Sequence, residues 1–245
     1  MISVIIPTMW KAPHIERMVP LLDQHPLIGE IIIIDNDTTK TKTDLLNNTK
    51  KLSYHPFPEN IFVNPAWNYG VKKAKYDKLF ILNDDCLINI NPLQTIYDFI
   101  SPEVGIIGFS ALSYCTYDIN SYETFLNSRF GDDIVIEPID SERYASTSGM
   151  PHHMYGSAMF MHKANYRVIP EEFKVYYGDV FLFISNLKNN ILNYAIDDGL
   201  VLAQQMTTVQ TIPREVTDRE SDIVQAKFEE YGLKGFVYQK RTNFA

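Results

Sequence analysis

The sequence predicts an α/β protein with a mainly parallel central sheet and helices on both of its faces. Three observations carry that prediction. Short apolar runs alternate with helix-period segments through the first half, as in a parallel sheet wrapped by helices. The apolar runs are unbroken, Ile31-Ile32-Ile33-Ile34 above all, as buried strands are. Several of them end in polar or acidic residues, at the edge where open α/β sheets hold their ligands.

The elements follow in order. Ile2 to Ile6 is a buried strand ended by Pro7, and His14 to Gln24 carries Ile15, Met18, Val19 and Leu22 at helical spacing, with Pro20 placed to kink it. Gly29 breaks the chain before a second buried strand, Glu30 to Ile34, which ends in Asp35-Asn36-Asp37. Leu52 to Tyr54 gives a third strand. Asn64-Pro65 reads as a helix start, with Asn as cap and Pro in the first turn, for a helix running through Lys73 or Ala74. Lys78 to Leu82 is the next strand and ends in Asn83-Asp84-Asp85. Asn91-Pro92 opens a helix to Ile100, and Val104 to Phe109 is a strand. Residues 110–155, rich in Tyr, Ser and Asp, read as short strands and loops over a site. Gly156 to His162 is a strand, and Tyr177 to Asn190 a helix burying Val180, Ile184 and Leu187. A last helix, Asp218 to Tyr231, precedes Gly232 and a basic tail with Lys234, Lys240 and Arg241.

Composition narrows the class. A hydrophobic fraction of 45% over 245 residues excludes a disordered chain. A net charge of −8 weighs against non-specific binding of a nucleic-acid backbone and suits a divalent cation. Cys86 and Cys115 form no CxxC or Cys/His pattern, so neither a disulfide framework nor a zinc site is expected. The longest aliphatic run falls far short of the roughly 20 residues of a membrane helix. Met1-Ile2-Ser3-Val4 leads straight into a strand with no basic leader, so a cytoplasmic setting is expected. No GxGxxG follows the first strand and no GxxxxGK[ST] occurs, which removes support from a dinucleotide-dependent oxidoreductase and a P-loop phosphotransferase.

The set of strand ends resembles the family 2 glycosyltransferases of the GT-A fold. The matching residues are Val4-Ile5-Ile6-Pro7-Thr8, Ile34-Asp35-Asn36, Ala66-Trp67-Asn68-Tyr69-Gly70 and Phe80-Ile81-Leu82-Asn83-Asp84-Asp85. A second match covers Gly156-Ser157-Ala158-Met159-Phe160 and the stretch from Glu171 to Asp179. The resemblance implies one GT-A domain over 1–245, with a nucleotide-binding half at 1–100, an acceptor and catalytic half at 101–216, and a C-terminal helix and tail at 217–245. It implies metal-dependent transfer of a hexosyl or pentosyl group from a nucleoside-diphosphate sugar, UDP-sugar favoured, to an acceptor hydroxyl with inversion, retention being the alternative. The acceptor would be a glycan, a protein or a modified nucleobase.

The same resemblance assigns roles. Asp85 would bind Mn²⁺ or Mg²⁺ and Asp84 the donor's ribose or sugar. Asn83 stands where the usual motif has its first Asp, which removes one charge. Pro7 and Thr8 would lie against the nucleotide, or Thr8 would merely end its strand. Asp35 and Asn36 would bond the nucleobase, or shape the loop as an Asx-turn. Asn68 and Trp67 would begin a helix facing the donor, with Trp67 equally suited to the core. Gly156 and Ser157 would border the sugar, and Asp179 would be the base that takes the acceptor's proton. As a helix N-cap or first-turn acid Asp179 would also serve structure; Glu171 and Glu172 are its alternatives. Of His152-His153, adjacent on an extended segment, His153 would reach the acceptor while its neighbour turns away, or both are loop residues. Tyr114, Tyr117, Tyr122 and Phe125 would stack on a sugar or simply pack. No histidine follows His162, where the family often adds a metal ligand, and Gln204-Gln205 is the nearest polar substitute. A sparse metal shell, completed by the donor's diphosphate, is therefore expected. Two other classes compete. A nucleotidyltransferase would need a glycine- and lysine-rich loop where Thr8-Met9-Trp10-Lys11 stands. A non-catalytic nucleotide- or carbohydrate-binding module would tolerate the lost acid at position 83.

Overall fold

The computed structural model describes residues 1–110, 113–115, 134–139, 156–197, 201–203 and 214–230. Strands β1 (Ile2–Thr8), β2 (Ile28–Asp35), β3 (Leu52–Pro56) and β4 (Lys78–Leu82) are joined by α1 (His14–Gln24), the short α2 (Thr43–Asn48) and α3 (Val63–Lys73). Then come β5 (Cys86–Ile88), α4 (Leu93–Phe99), β6 (Ile107–Phe109), β7 (Tyr114–Cys115), β8 (Val135–Pro138) and β9 (Ala158–His162). Helix α5 (Gly178–Lys188), β10 (Tyr194–Asp197), β11 (Val201–Ala203) and α6 (Arg214–Glu230) complete the described chain.

The main sheet has eight strands in the order β3-β2-β1-β4-β9-β6-β10-β8, and β5-β11-β7 form a second, three-stranded sheet. Strands β3, β2, β1 and β4 are parallel throughout. Beyond β4 the sheet is mixed: β9 runs antiparallel to both β4 and β6, β10 is parallel to β6, and β8 closes the edge antiparallel to β10. Six of the eight strands therefore run the same way, with β9 and β8 reversed, so the sheet is mainly parallel as expected.

Period-two alternation divides each strand between two cores. Val4, Ile6, Ile31, Ile33, Phe80, Leu82, Ala158 and Phe160 enter one cluster, which Ile15, Met18, Val19 and Leu22 of α1 cover together with Leu93 and Ile96 of α4. Ile5, Ile32, Ile34, Leu79, Ile81, Met159 and Met161 enter the other, beneath Ala66, Trp67 and Val71 of α3 and Val180, Phe183 and Ile184 of α5. Because both faces are covered, the strands read as continuous apolar runs. Each fully buried isoleucine stabilises the fold by ~1.5–3 kcal/mol relative to exposure.

Several local expectations change. Helix α1 continues through Pro20. Helix α3 starts at Val63, so Asn64 lies inside its first turn rather than capping it; Phe62 precedes the helix at φ 68° with no side-chain cap. Helix α5 buries Leu182 and Phe183 as well as Val180 and Ile184, because it is covered on more than one side. Helix α6 begins at Arg214, earlier than its apolar period indicated. Residues 104–106 form a connector after the turn at 102–103 instead of strand, with the Val104 amide donating to Ser101 O at 3.1 Å. None of the described helices is long and apolar enough to cross a membrane.

Candidate active site

The C-terminal ends of β1, β2 and β4 lie side by side, so the polar residues that follow them meet at one edge. Hydrogen bonds tie them into a continuous path. The Asn36 amide donates to Thr8 O at 2.8 Å, which locks the end of β2 to the end of β1. The Thr8 hydroxyl donates to Asp84 Oδ2 at 2.6 Å and accepts from the Trp10 amide at 2.8 Å. Thr8 therefore does more than end a strand, since it orients the acid that follows β4. The Asn83 amide donates to Ser157 O at 2.8 Å, joining this edge to the residues that lead into β9. Gly156 then touches Asp179: a Cβ at position 156 would lie 2.6 Å from Asp179 Oδ2, a distance only glycine permits. Its backbone N–H bonds the same carboxylate.

The two acids at the centre have different surroundings. Burial pushes the Asp84 carboxyl up to about 6, the Thr8 hydroxyl opposes the rise, and the neighbouring Asp85 charge adds to it. Burial also raises Asp179, against the pull of backbone N–H groups from Val180, Gly156 and Asp179 itself. Those donors are the first-turn amides of α5 together with the loop beneath it, so the helix start offsets part of the cost of a buried carboxylate. Cys86, wholly buried behind Asp85, has its thiol raised by that burial and is inert as a nucleophile.

The acid-amide cluster suits a hard divalent cation. Asp84 and Asp85 are adjacent carboxylates, and Asn83 Oδ1 is buried without a hydrogen-bond partner. Such an orphaned acceptor normally costs stability, and a bound cation would satisfy it. Oxygen donors of this kind match Mg²⁺ or Mn²⁺. Among the described residues no group of three or more His, Cys, Asp and Glu side chains could hold a metal ion. The protein thus offers part of a shell.

Other expected site residues are placed differently. Asp35 is wholly buried, and its carboxylate accepts from the Asp37 amide at 2.9 Å, the Thr41 hydroxyl at 2.6 Å and the Tyr54 hydroxyl at 2.7 Å. It shapes the loop after β2 as an Asx-turn, the reading that the sequence left open beside nucleobase contact. Asn36 Oδ1 accepts from the Ile61 amide at 3.3 Å, so it links that loop to the approach of α3. Asn68 does not face the donor edge with a free amide. Its Nδ2 donates to Ile169 O at 2.9 Å while its Oδ1 accepts from Tyr166 OH at 2.8 Å and Ile169 N at 2.9 Å. It is a clamp between α3 and the 166–169 segment. Trp67 is core, 4% exposed. Pro7 lies buried in β1, paired with Ile34. His152, His153, Tyr117, Tyr122, Phe125, Gln204 and Gln205 lie outside the described residues, and of Tyr114 only the backbone is described.

Sequence reasoning missed Asn64. Its Nδ2 donates to Tyr176 O at 3.0 Å, its backbone amide to Lys174 O at 3.1 Å, and a Cβ on Gly178 would meet its Oδ1 at 2.1 Å. Asn64 thereby docks the start of α3 against the start of α5. Left-handed backbone occurs at Trp10 (φ 57°), Phe62 (φ 68°) and Tyr177 (φ 63°), each in a loop feeding this edge. Such conformations cost on the order of 1–3 kcal/mol each and are held only where the surroundings fix them.

Solved structures share this fold. TarS 1-349 from S. aureus in complex with UDP-GlcNAc superposes with a TM-score of 0.61 at 15% identity, covering 93% of this chain and 66% of that one. The same TarS fragment in a second crystal structure gives 0.57 at 17% identity over 83% and 60%. The mannosyltransferase PcManGT from Pyrobaculum calidifontis, in complex with GDP-Man and Mn²⁺, gives 0.62 at 14% identity over 96% and 64%. The chain thus spans about two thirds or less of the length of these proteins. The likeness defines the fold as GT-A. Curated protein sequences give no match. The family model "Glycosyl transferase family 2" matches residues 3–187, three quarters of the chain, and the protein belongs to that family.

Proposed function

We propose that the protein transfers a sugar from a nucleoside-diphosphate donor to an acceptor hydroxyl, with Asp179 as the base. The observation that carries this reading is the hydrogen-bonded path from Thr8 through Asp84 and from Asn83 through Ser157 and Gly156 to Asp179. It links the acids of the Asn83–Asp85 cluster, suited to a diphosphate's counter-ion, and the raised Asp179 carboxylate to two adjacent residues, Ser157 and Gly156. The UDP-GlcNAc and GDP-Man bound by the structural neighbours support a nucleotide-sugar donor, and the Mn²⁺ of one of them supports a divalent ion.

The chemistry follows from the residues. Asp85, with Asn83 Oδ1 two residues before it in sequence, would hold Mn²⁺ or Mg²⁺ beside the donor's diphosphate, where the ion would neutralise charge growing on the leaving group, and Asp84 would contact the donor's ribose or sugar. Thr8 fixes the Asp84 carboxylate through its hydroxyl, and the Asp35 loop walls the nucleobase side. Asp179 takes the proton of the acceptor hydroxyl as that oxygen attacks the anomeric carbon, and the sugar–phosphate bond breaks on the opposite face, inverting the centre. A UDP-sugar is the donor favoured, and the acceptor a glycan, a protein or a modified nucleobase.

Turnover of a panel of UDP-, GDP- and dTDP-sugars with Mn²⁺ tests this. Wild type is expected to transfer or hydrolyse at least one, and Asp179→Asn to lower kcat by about 10²–10⁴-fold while still binding it. Donor binding without turnover in both proteins would instead support a non-catalytic module of the same fold.

A further inference from the structure

We propose that Glu220, on the C-terminal helix, is a positioning residue that fixes the entry of α5 and so sets the place of Asp179; this rests on reading Asp179 as the base. Glu220 is 1% exposed. Its carboxylate accepts from three consecutive backbone amides: Lys174 N to Oε1 at 2.9 Å, Val175 N to both oxygens at 3.2 Å, and Tyr176 N to Oε2 at 2.7 Å. A buried carboxylate is stable only when its oxygens are bonded in this way. The residues it grips end one position before Tyr177, whose left-handed turn (φ 63°) delivers Gly178 and Asp179 to the helix start.

The same segment is held from its other side. Its amides go to Glu220, while the carbonyls of Lys174 and Tyr176 accept from Asn64 of α3. Residues 174–176 are therefore clamped between the two helices, and Tyr177 O then accepts the Phe181 amide at 2.8 Å as α5 begins. Displacing this segment would carry Asp179 away from Gly156, against which it has no slack. The donor edge built from Thr8, Asn83 and Asp84 makes none of these contacts. Glu220 also lies beyond residue 187, where the family match ends, so this half of the clamp comes from the part of the chain outside it.

Glutamine cannot replace this group. A carboxylate presents acceptors on both oxygens, whereas an amide would turn N–H donors toward backbone N–H groups and leave at least one of them unpaired. The experiment compares Glu220→Gln, Glu220→Asp and Asp179→Asn with wild type, using the best turned-over sugar of the UDP, GDP and dTDP panel with Mn²⁺. Glu220→Gln is expected to lower kcat about tenfold or more, since small displacements of a reacting group are costly, with donor affinity held within about twofold. Glu220→Asp, which keeps the acceptor-only group one methylene shorter, should recover part of that loss. A folded Glu220→Gln protein with wild-type kcat, measured while Asp179→Asn is inert, would overturn the role of Glu220 and leave the base assignment standing. An equal loss of donor affinity and kcat, or failure of both Glu220 variants to fold, would overturn it too, by making Glu220 a determinant of the whole fold. Full activity in Asp179→Asn would remove the base assignment itself, and this proposal with it.

Discussion

At the scale of single residues, Gly156 and Asp179 show how little freedom the site has. A methyl group at 156 would lie 2.6 Å from Asp179 Oδ2, so Gly156→Ala must push the carboxylate aside. We expect kcat to fall by about 10²-fold with little change in donor affinity, read by steady-state kinetics beside donor calorimetry. The pH dependence follows from the same carboxylate. As the proposed base, Asp179 would act only when ionised, and burial raises its pKa, so activity is expected to be lost as pH falls through a value above the ordinary aspartate range of about 3.9. A kcat profile whose acid limb lies at or below that range would contradict the assignment. Neither property could be read from the sequence. The Gly-Ser pair before a strand and the acid before a helix are visible there, but their contact joins residues 23 positions apart.

At the scale of elements, the sheet is held by facing pairs. Phe80 of β4 and Phe160 of β9 stand opposite each other in register, with rings 4.1 Å apart and nearly parallel. Both are wholly buried. Phe160→Ala should destabilise the protein by ~3–5 kcal/mol, seen as a lower urea midpoint. Helix α3 packs so closely on β1 that a Cβ at Gly70 would come within 2.4 Å of Ile5 Cγ2. Gly70→Ala is expected to cost ~1–3 kcal/mol through overpacking, by the same measurement. The start of α3 illustrates a misleading local signal. Asn-Pro is a strong helix-opening pair, yet the helix begins one residue before it, because Asn64 is recruited by Tyr176 O and the Lys174 carbonyl. Tertiary bonding overrode the capping preference.

At the scale of the whole molecule, the site is assembled from the ends of β1, β2 and β4, the approach to β9 and the start of α5. On the proposed reading, the Asn83–Asp85 cluster would supply only part of a cation shell. We therefore expect Mn²⁺ to bind the free protein weakly and at least about tenfold more tightly once UDP supplies diphosphate oxygens, as titration calorimetry with and without UDP would show. Equally tight binding without nucleotide would refute this. The sequence alone determined the α/β class, six of the strands and the acidic ends of two of them, because buried strands must be apolar along their length and because the residues closing them stand next to them in the chain. It also marked Thr8, Asp84, Asp85 and Asp179 as the residues to follow. The tertiary structure alone decided the mixed second half of the sheet and the small second sheet, since short strands such as β10 and β11 acquire their identity from distant partners. It likewise decided that Asn68 is occupied by neighbouring groups and that Glu220 grips the entry of α5. A hydrogen bond between residues more than forty positions apart leaves no period, cap or spacing along the chain, so only folding reveals it.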